Sequence, residues 1–395
     1  MTSRLSTGGS VAGRKIIFML AGIAALGSLA IHIMVPTLPF LAHDLGVSAH
    51  AAQQVISFYL FGLAAGQLLV GPIIDRLGGK PVLLAGLFLY AVAAAWGALA
   101  DGPVSLLAAR VLQAFGGSAG LVTSRVLVGD LFERSEAGRR QATLMGVVLL
   151  SPAVAPVIGG VIAEHTSWRV VLGLLSAIGL SALLLSWKFL PGGNQATKKA
   201  EEGHALWHDY ERLLKNARFL RAAIAIAAAS SGLYMFLAVS PFLLVRQWGL
   251  DADQAGWCYL LAAGGGILGT LMVGRLEGRA DVMRVGLSFS MAGGLLVFAS
   301  ALSGAQGWPF LILPVTIMTI GAGMAGPAGI AIIIHSEAGL SGTASSLAGA
   351  LQMVVAGGLS SFLGILGPPS FLLLGVAMAL VCSFAWLVGP RSHVA

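Results

Sequence analysis

The dominant feature of the sequence is a series of long apolar segments separated by short polar ones. A helix of about 18 or more apolar residues can cross a hydrocarbon core of about 30 Å. Six such segments precede a hydrophilic stretch, at about residues 16–40, 52–74, 79–100, 104–130, 140–163 and 168–190. Six more follow it, at about residues 219–245, 253–274, 282–303, 309–334, 340–364 and 369–389. The pattern predicts an all-α membrane protein with twelve transmembrane helices.

The hydrophilic stretch divides the chain into two halves of six helices. We predict an N-terminal six-helix bundle at residues 1–190, a linker at 191–217 and a C-terminal six-helix bundle at 218–395. The loop at Gly71 to Pro81 has a degenerate counterpart at Gly274 to Arg284, so the two bundles are expected to be pseudo-symmetric. Two such bundles can rock against each other and open a midplane cavity to either side in turn.

Composition excludes a soluble protein. Hydrophobic residues make up 57% of the chain and charged residues 10%, whereas a soluble domain carries about 25% charged residues. The 54 glycines are compatible with membrane helices, where small residues permit close contact. The first apolar segment is too long for a signal-peptide core, so we expect it to be retained.

Basic residues predict the orientation. Of the 23 Lys and Arg residues, nineteen fall at one set of alternate loops and termini, two fall at the other set, and Arg110 and Arg125 lie inside the fourth span. Cytoplasmic loops hold the excess of Lys and Arg. We therefore expect both termini and the linker to be cytoplasmic. The net charge of +7 is not gathered into one patch, so no nucleic-acid partner is expected.

The loop GPIIDRLGGKP, Gly71 to Pro81, resembles a loop motif of the major facilitator superfamily. Its residues Asp75, Arg76 and Lys80 stand at the membrane edge, where an acid can hold bases of the next helices in one conformation. The resemblance implies a cytoplasmic gate, with Asp130 as charge partner and Arg125 nearby. The alternative is solvated loop charge that only orients the helices.

Two further segments resemble motifs of the same superfamily. RVLQAFGGSAG begins at Arg110, and SPAVAPVIGG begins at Ser151 and resembles the motif of its antiporter subset. Prolines remove helix hydrogen bonds and glycines permit close approach, so the second segment predicts a kinked, tightly packed helix. Packing without any role in transport direction is the alternative. The antiporter residues are Pro152, Pro156, Gly159 and Gly160.

VPTLPFLA, SPFLL and GPAGIAIII in the first, seventh and tenth spans resemble the bicyclomycin and chloramphenicol resistance branch of drug:proton antiporters. The resemblance implies the major facilitator fold and efflux of a small amphiphile, for example a phenicol, in exchange for protons. It also implies a monomer in the bacterial inner membrane, in contact with lipid, with no cofactor beyond the proton gradient. The alternative is an uncoupled facilitator, or an exporter of a sugar, amino acid, siderophore or lipid-like metabolite.

The chain departs from this branch at the first span. The branch usually has an Asp four residues before the proline, and His32 stands there, before Pro36. Imidazole changes charge in the physiological range, so His32 could carry protons. By helix rise, His32 lies about 24 Å from the cytoplasmic edge and Arg110 about 9 Å from the outer edge, which are similar depths in a core of about 30 Å. Proton transfer through Asp130 or another route, and no proton coupling at all, remain alternatives.

Arg110 is expected to face the cavity, since a charge in lipid is costly. It could bind backbone carbonyls or Gln113, or it could take part directly in substrate or proton linkage. A cavity with arginine and no acid favours neutral or anionic cargo over cations. The candidates for lining it are His32, Tyr59, Arg110, Gln113, Tyr234, Phe236, Trp257, Gln352 and Met353.

Three enzyme-like or metal-like patterns lack the setting that they need. GGSAG, around Ser118, fits a hydrolase elbow, but it lies inside an apolar helix rather than between a strand and a helix. The glycines at 264, 266 and 269 likewise lie within one span, so no dinucleotide is implied. Cys258 and Cys382 have no metal spacing, and no Walker motif is present. We expect neither an enzyme nor a metal site.

Overall fold

A computed structural model describes residues 11–132, 134–190, 206–276, 281–337 and 340–390. Within these residues, twelve segments are long and apolar enough to cross a membrane, which confirms the predicted number of spans. Thirteen of the fourteen helices form these spans, because α1 and α2 share the first one, and α8 is the exception. The helices are α1 Val11–His32, α2 Leu38–Asp44, α3 Ala49–Leu77, α4 Gly79–Ala98, α5 Pro103–Leu131, α6 Arg134–His165, α7 Trp168–Phe189, α8 Leu206–Lys215, α9 Ala217–Pro241, α10 Ala252–Leu276, α11 Val282–Leu302, α12 Pro309–Ile334, α13 Ser341–Leu366 and α14 Phe371–Val388.

Local sequence signals explain where several helices begin. Ser48, Ser167 and Ser370 accept hydrogen bonds from backbone N–H groups at the starts of α3, α7 and α14, and Asn216 does the same for α9. Such caps satisfy donors that have no partner inside the helix. At the tight turn between α3 and α4, Gly78 has a φ of 85°, which favours glycine.

The first and seventh spans are interrupted, a feature on which the apolar pattern made no prediction. The first span breaks after His32, and a short 3₁₀ turn, Val35–Thr37, precedes α2. Pro36 and Pro39 lie at this break and cannot donate the hydrogen bonds that would continue α1. The seventh span continues beyond Pro241 as a π-helical segment, Phe242–Gln247.

The spans form two six-helix bundles. In the N-terminal bundle α5 packs against α1, α3 and α4, and in the C-terminal bundle α12 packs against α9, α10 and α11. Glycines permit these contacts: a Cβ on Gly86 or Gly116 would collide with the facing helix of the α4–α5 pair. The bundles meet mainly where α3 packs on α13 and α6 packs on α10.

The predicted linker contains a helix that the sequence analysis did not anticipate. Helix α8 packs against α9 and α13 and buries Leu213 completely. Arg212 donates a hydrogen bond to Glu337, which follows α12. We call the end of the molecule that carries α8 the linker end. Both ends of the described chain also lie there, because each bundle has an even number of spans.

Candidate functional site

Arg110 is a fully buried cation at the centre of the N-terminal bundle. Its Nη1 donates to Gln113 Oε1 at 2.6 Å, and its Nη2 donates to the carbonyl oxygen of Ala30 on α1 at 3.0 Å. The guanidinium also lies 4.0 Å from the centroid of the Tyr59 ring. Carbonyl dipoles and a π face can stabilise a buried positive charge without an acid.

Two tyrosines also bind backbone carbonyls near the end of α1, close to the carbonyl that Arg110 binds. Tyr59 on α3 donates to the carbonyl oxygen of Gly27 at 2.9 Å, and Tyr90 on α4 donates to that of Leu26 at 3.4 Å. Three helices of the bundle thus bind neighbouring carbonyls of α1, since Arg110 on α5 binds Ala30. The sequence analysis missed Tyr90; a tyrosine inside an otherwise apolar span was the available signal.

His32 is the last residue of α1 and is 5% exposed. Its Nδ1 lies 2.7 Å from the carbonyl oxygen of Ser28. A carbonyl oxygen only accepts, so Nδ1 carries the hydrogen, and in the neutral ring Nε2 is the nitrogen that can take up a proton.

Arg110 on α5 contacts the last turn of α1, which also carries His32, but the described contacts do not include a hydrogen bond between the two side chains. Arg110 instead bonds the backbone two residues before His32. Of the two roles open to Arg110, the binding of Gln113 and a backbone carbonyl is what the contacts show.

The predicted antiporter residues lie where α6 meets α1 and α10. Helix α6 runs without interruption through Pro152 and Pro156. A Cβ on Gly159 would collide with the carbonyl oxygen of Ile33, and one on Gly160 would collide with that of Ala252. These glycines therefore bring α6 against the break in the first span and against the start of α10 in the other bundle.

The predicted cavity residues of the C-terminal bundle fall into an inward-facing group and one exposed residue. Phe236 packs edge to face on Tyr259, with ring centroids 5.7 Å apart, and Gln352 Nε2 donates to Ser230 at 2.8 Å. Tyr234 is half-buried and Met353 is buried. The prediction of Trp257 as a cavity residue is wrong: it is 58% exposed and lies on one stripe of α10 with exposed Leu261 and Leu268, on the face opposite the buried Tyr259.

The predicted gate is only partly described. Asp75 and Arg76 are exposed at the linker end, and within the described side chains neither forms an ion pair. Lys80 instead donates to the carbonyl oxygens of Trp187 and Leu190 at the end of α7. The side chain of Asp130 lies outside the described part of the structure.

Arg125, the other predicted gate residue, contacts α6. Its Nη2 lies 3.3 Å from the sulfur of Met145, and its carbonyl oxygen accepts from Gln141 at 2.6 Å. It therefore links α5 to α6 near the linker end rather than facing Arg110.

Three hydrogen bonds join the bundles at the end opposite the linker, and the sequence analysis missed all of them. Ser361 donates to Gln54 at 2.7 Å between α13 and α3. Arg246 donates to the carbonyl oxygen of Pro39 at 2.9 Å. The N–H of Ala252 donates to Glu164 at 3.0 Å. Ordinary polar residues at span ends give no sequence signal for such pairing.

Charged side chains are scarce in the middle of the described spans. Arg110 is the only charged side chain described at the middle of a span, and the described acids all lie at span ends or in loops. Within the described residues, no group of three His, Cys, Asp or Glu side chains could hold a metal ion. Ser118 lies inside α5 and donates to the carbonyl oxygen of Leu63, so it serves helix packing there.

Known proteins resemble the chain over most of its length. A family model described as Major Facilitator Superfamily matches residues 18–361. The chain is 28% identical to "Multidrug resistance protein D" of Escherichia coli (strain K12), over 94% of this chain and 95% of that protein. It is 28% identical to "Chloramphenicol resistance protein" of Pseudomonas aeruginosa, over 78% of this chain and 74% of that protein.

A solved structure shares the fold. The crystal structure of a D-xylose-proton symporter superposes with a TM-score of 0.74 and 15% identity, and the similarity covers 97% of this chain and 99% of that one. At this identity the similarity concerns the fold alone. It confirms the predicted architecture of two six-helix bundles.

Proposed function

The chain belongs to the Major Facilitator Superfamily, and from that premise we propose that it is a secondary active exporter of a small amphiphilic compound in exchange for protons. Alternating access of the two bundles moves the cargo. The relatives named for multidrug and chloramphenicol resistance support a drug or drug-like metabolite as cargo.

The observation that carries the proposal is the position of His32 at the break of the first span. The segment around it is bound on one side by Arg110 at Ala30 and is approached on the other by Gly159 at Ile33. Helix α6, which carries Gly159, also contacts α10 of the other bundle. A change in the charge of His32 therefore acts on the segment that connects the Arg110 site to the contact between the bundles.

The charge of the site supports neutral or anionic cargo. Among the described residues, the buried Nε of Arg110 has no hydrogen-bond partner. A buried donor without a partner is costly, so a cargo that presents acceptor oxygens would be stabilised there. A lipophilic cation would be repelled by the guanidinium. Phenicol-like compounds, which are neutral and rich in oxygen, fit this chemistry.

We place the linker end, with both termini, in the cytoplasm of a bacterial cell and the spans in the inner membrane. The excess of Lys and Arg at that end supports this orientation. The hydrogen bonds that join the bundles at the opposite end then close the periplasmic side. We further propose that a single chain is the transport unit.

The test is a flux measurement in proteoliposomes that contain a pH-sensitive dye. A gradient of phenicols, sugars or cationic dyes is imposed, and proton movement is compared with cargo movement. We expect phenicol-dependent proton flux in the wild type and its loss in His32→Ala. The matched control is His335→Ala, because His335 Nδ1 makes the same 2.7 Å contact with the carbonyl four residues earlier but is exposed at the linker end.

The outcomes separate the alternatives. Cargo movement by the wild type without proton flux would refute antiport and favour a facilitator. Coupled flux that survives in His32→Ala would refute the role of His32, and Asp130→Asn would then test the remaining acid route. Loss of flux in both histidine variants would mean that the assay reports folding rather than coupling.

A further inference from the structure

An apolar groove of about 450 Å³ lies on the surface of the C-terminal bundle, between α9, α13 and α14. All of its lining residues are Leu, Ala, Ile, Val or Phe, and none belongs to the N-terminal bundle. Ile224, Leu380 and Phe384 in its walls are 38%, 65% and 50% exposed. It is therefore open to the lipid phase and separate from the Arg110 site.

The groove has the depth of one lipid leaflet. Its lining residues on α9 run from Leu220 to Ala228, which is about 12 Å of helix. One leaflet contributes about half of a hydrocarbon core of about 30 Å. The groove starts at the linker end, where Leu214 of α8 forms part of its lining. It thus has the length and polarity for an acyl chain of the leaflet on that side.

A basic residue directly follows Leu220 of the groove lining, near the linker end of α9. Arg221 is exposed, and its Nε donates to the carbonyl oxygen of Val388 at 3.2 Å, which ties it to the end of α14. Two acids at this end of the molecule are engaged elsewhere, because Lys215 pairs with Glu211 and Arg212 pairs with Glu337. Within the described residues Arg221 has no ion-pair partner.

We propose that this groove binds one phospholipid with an anionic headgroup, its acyl chain between α9, α13 and α14 and its phosphate at Arg221. A guanidinium recognises phosphate oxygens through paired hydrogen bonds. Basic sites between helices at the cytoplasmic face attract anionic lipids in general. The proposal needs no assumption about cargo, because lipid binding is measured without transport.

The experiment is native mass spectrometry of the full chain, delipidated in detergent and offered equal amounts of phosphatidylglycerol and phosphatidylcholine with identical acyl chains. We expect the wild type to retain phosphatidylglycerol about fivefold better, as a contribution of about 1 kcal/mol from one basic residue implies. Arg221→Gln should remove the preference. Arg275→Gln removes an exposed charge at the linker end of another helix, α10, and should keep the preference for phosphatidylglycerol.

A second pair of variants tests the groove itself. Ala228→Leu and Val355→Trp fill it from different walls, and either one that elutes as a folded monomer should retain less of both lipids. Equal retention of the two lipids by the wild type would overturn the proposal. So would an equal loss of preference in Arg221→Gln and Arg275→Gln, or undiminished binding in a folded groove variant.

Discussion

At the scale of single residues, the contacts of Arg110 require a planar guanidinium rather than a positive charge alone. It bonds Gln113 and the Ala30 carbonyl at the same time and lies over the Tyr59 ring. In Arg110→Lys we expect one of the two bonds and the ring contact to be lost. A hydrogen bond to a charged group is worth about 1.5–3 kcal/mol, so cargo transport should fall by about tenfold or more.

The measurement is the initial rate of cargo uptake into proteoliposomes, with the melting temperature in detergent as a second readout. The melting temperature of Arg110→Lys should also fall, because the arginine connects α5 to α1. Arg275→Lys is the matched control and should behave as wild type. A lysine variant with unchanged rate and melting temperature would show that the charge alone suffices.

Individual residues were predictable where their chemistry is unusual for a membrane. A single arginine in the middle of a span required burial, and Gln113, one helical turn away, was its nearest polar neighbour. Trp257 was wrongly placed because a span that is apolar on every side does not reveal which face meets lipid. Tyr90 was missed because its role depends on a carbonyl of another helix.

At the scale of helices, the contact between α6 and α1 depends on the absence of a side chain at Gly159. A Cβ there would collide with the carbonyl oxygen of Ile33, so we expect Gly159→Ala to separate the two helices and lower the melting temperature. Gly146→Ala on the same helix is the control, because nothing lies within 4 Å of its added Cβ. Helix propensity favours alanine over glycine by about 1 kcal/mol, so the control should be as stable as wild type or more so.

A thermal-shift measurement in detergent distinguishes these two expectations. Opposite signs for the two alanine variants support a contact at Gly159 that tolerates no side chain. If Gly159→Ala were stabilising to the same degree as Gly146→Ala, the close approach of α6 to the break in the first span would be refuted.

The docking of α8 should depend on pH. Arg212 donates to Glu337 and, with a smaller contribution from Asn216, holds the pKa of that carboxyl below its ordinary value. The interaction therefore favours docking at pH values above the ordinary pKa. That contribution is lost as the pH falls through the lowered pKa of the docked state.

A spin label at His208→Cys, with Cys258 and Cys382 replaced by serine, reports the mobility of α8. We expect low mobility at pH 7 that rises under acid conditions, and high mobility at both pH values in Glu337→Gln. Glu211→Gln is the control, because the ion pair of Glu211 among the described residues is with Lys215 of the same helix. Immobile label in Glu337→Gln would show that the apolar contact of Leu213 alone holds the helix.

Helix positions followed from the apolar pattern, but helix interruptions did not. The break after His32 and the π-helical end of the seventh span depend on how prolines are accommodated among neighbouring helices. Helix α8 was not predicted because its ten residues are too few to span a membrane and half of them are charged or histidine; in the structure it packs on α9 and α13. Sequence periodicity alone does not report such tertiary contacts.

At the scale of the whole molecule, the fold was the most predictable property. Bilayer thickness fixes the length of each span, so counting apolar segments gave the number of helices. Which helices join the two bundles could not be predicted, because the residues that do so are small or ordinary polar ones. Gln54 and Ser361, which connect α3 to α13, are an example.

That contact provides a test of how the bundles move. If cargo crosses by rocking of the two bundles, α3 and α13 must separate at the end opposite the linker in each cycle. A short reducible cross-linker between cysteines at Gln54→Cys and Ser361→Cys, with Cys258 and Cys382 replaced by serine, should stop transport. Adding a reductant should restore it.

The control joins two helices of one bundle. Trp96 Nε1 donates to Ser105 at 3.0 Å between α4 and α5, so a cross-link between Trp96→Cys and Ser105→Cys leaves the bundles free to rock. We expect transport to continue there at nearly the uncross-linked rate. Continued transport in the fully cross-linked Gln54–Ser361 variant would contradict rocking at this interface. The cargo would then have to cross without separation of α3 from α13.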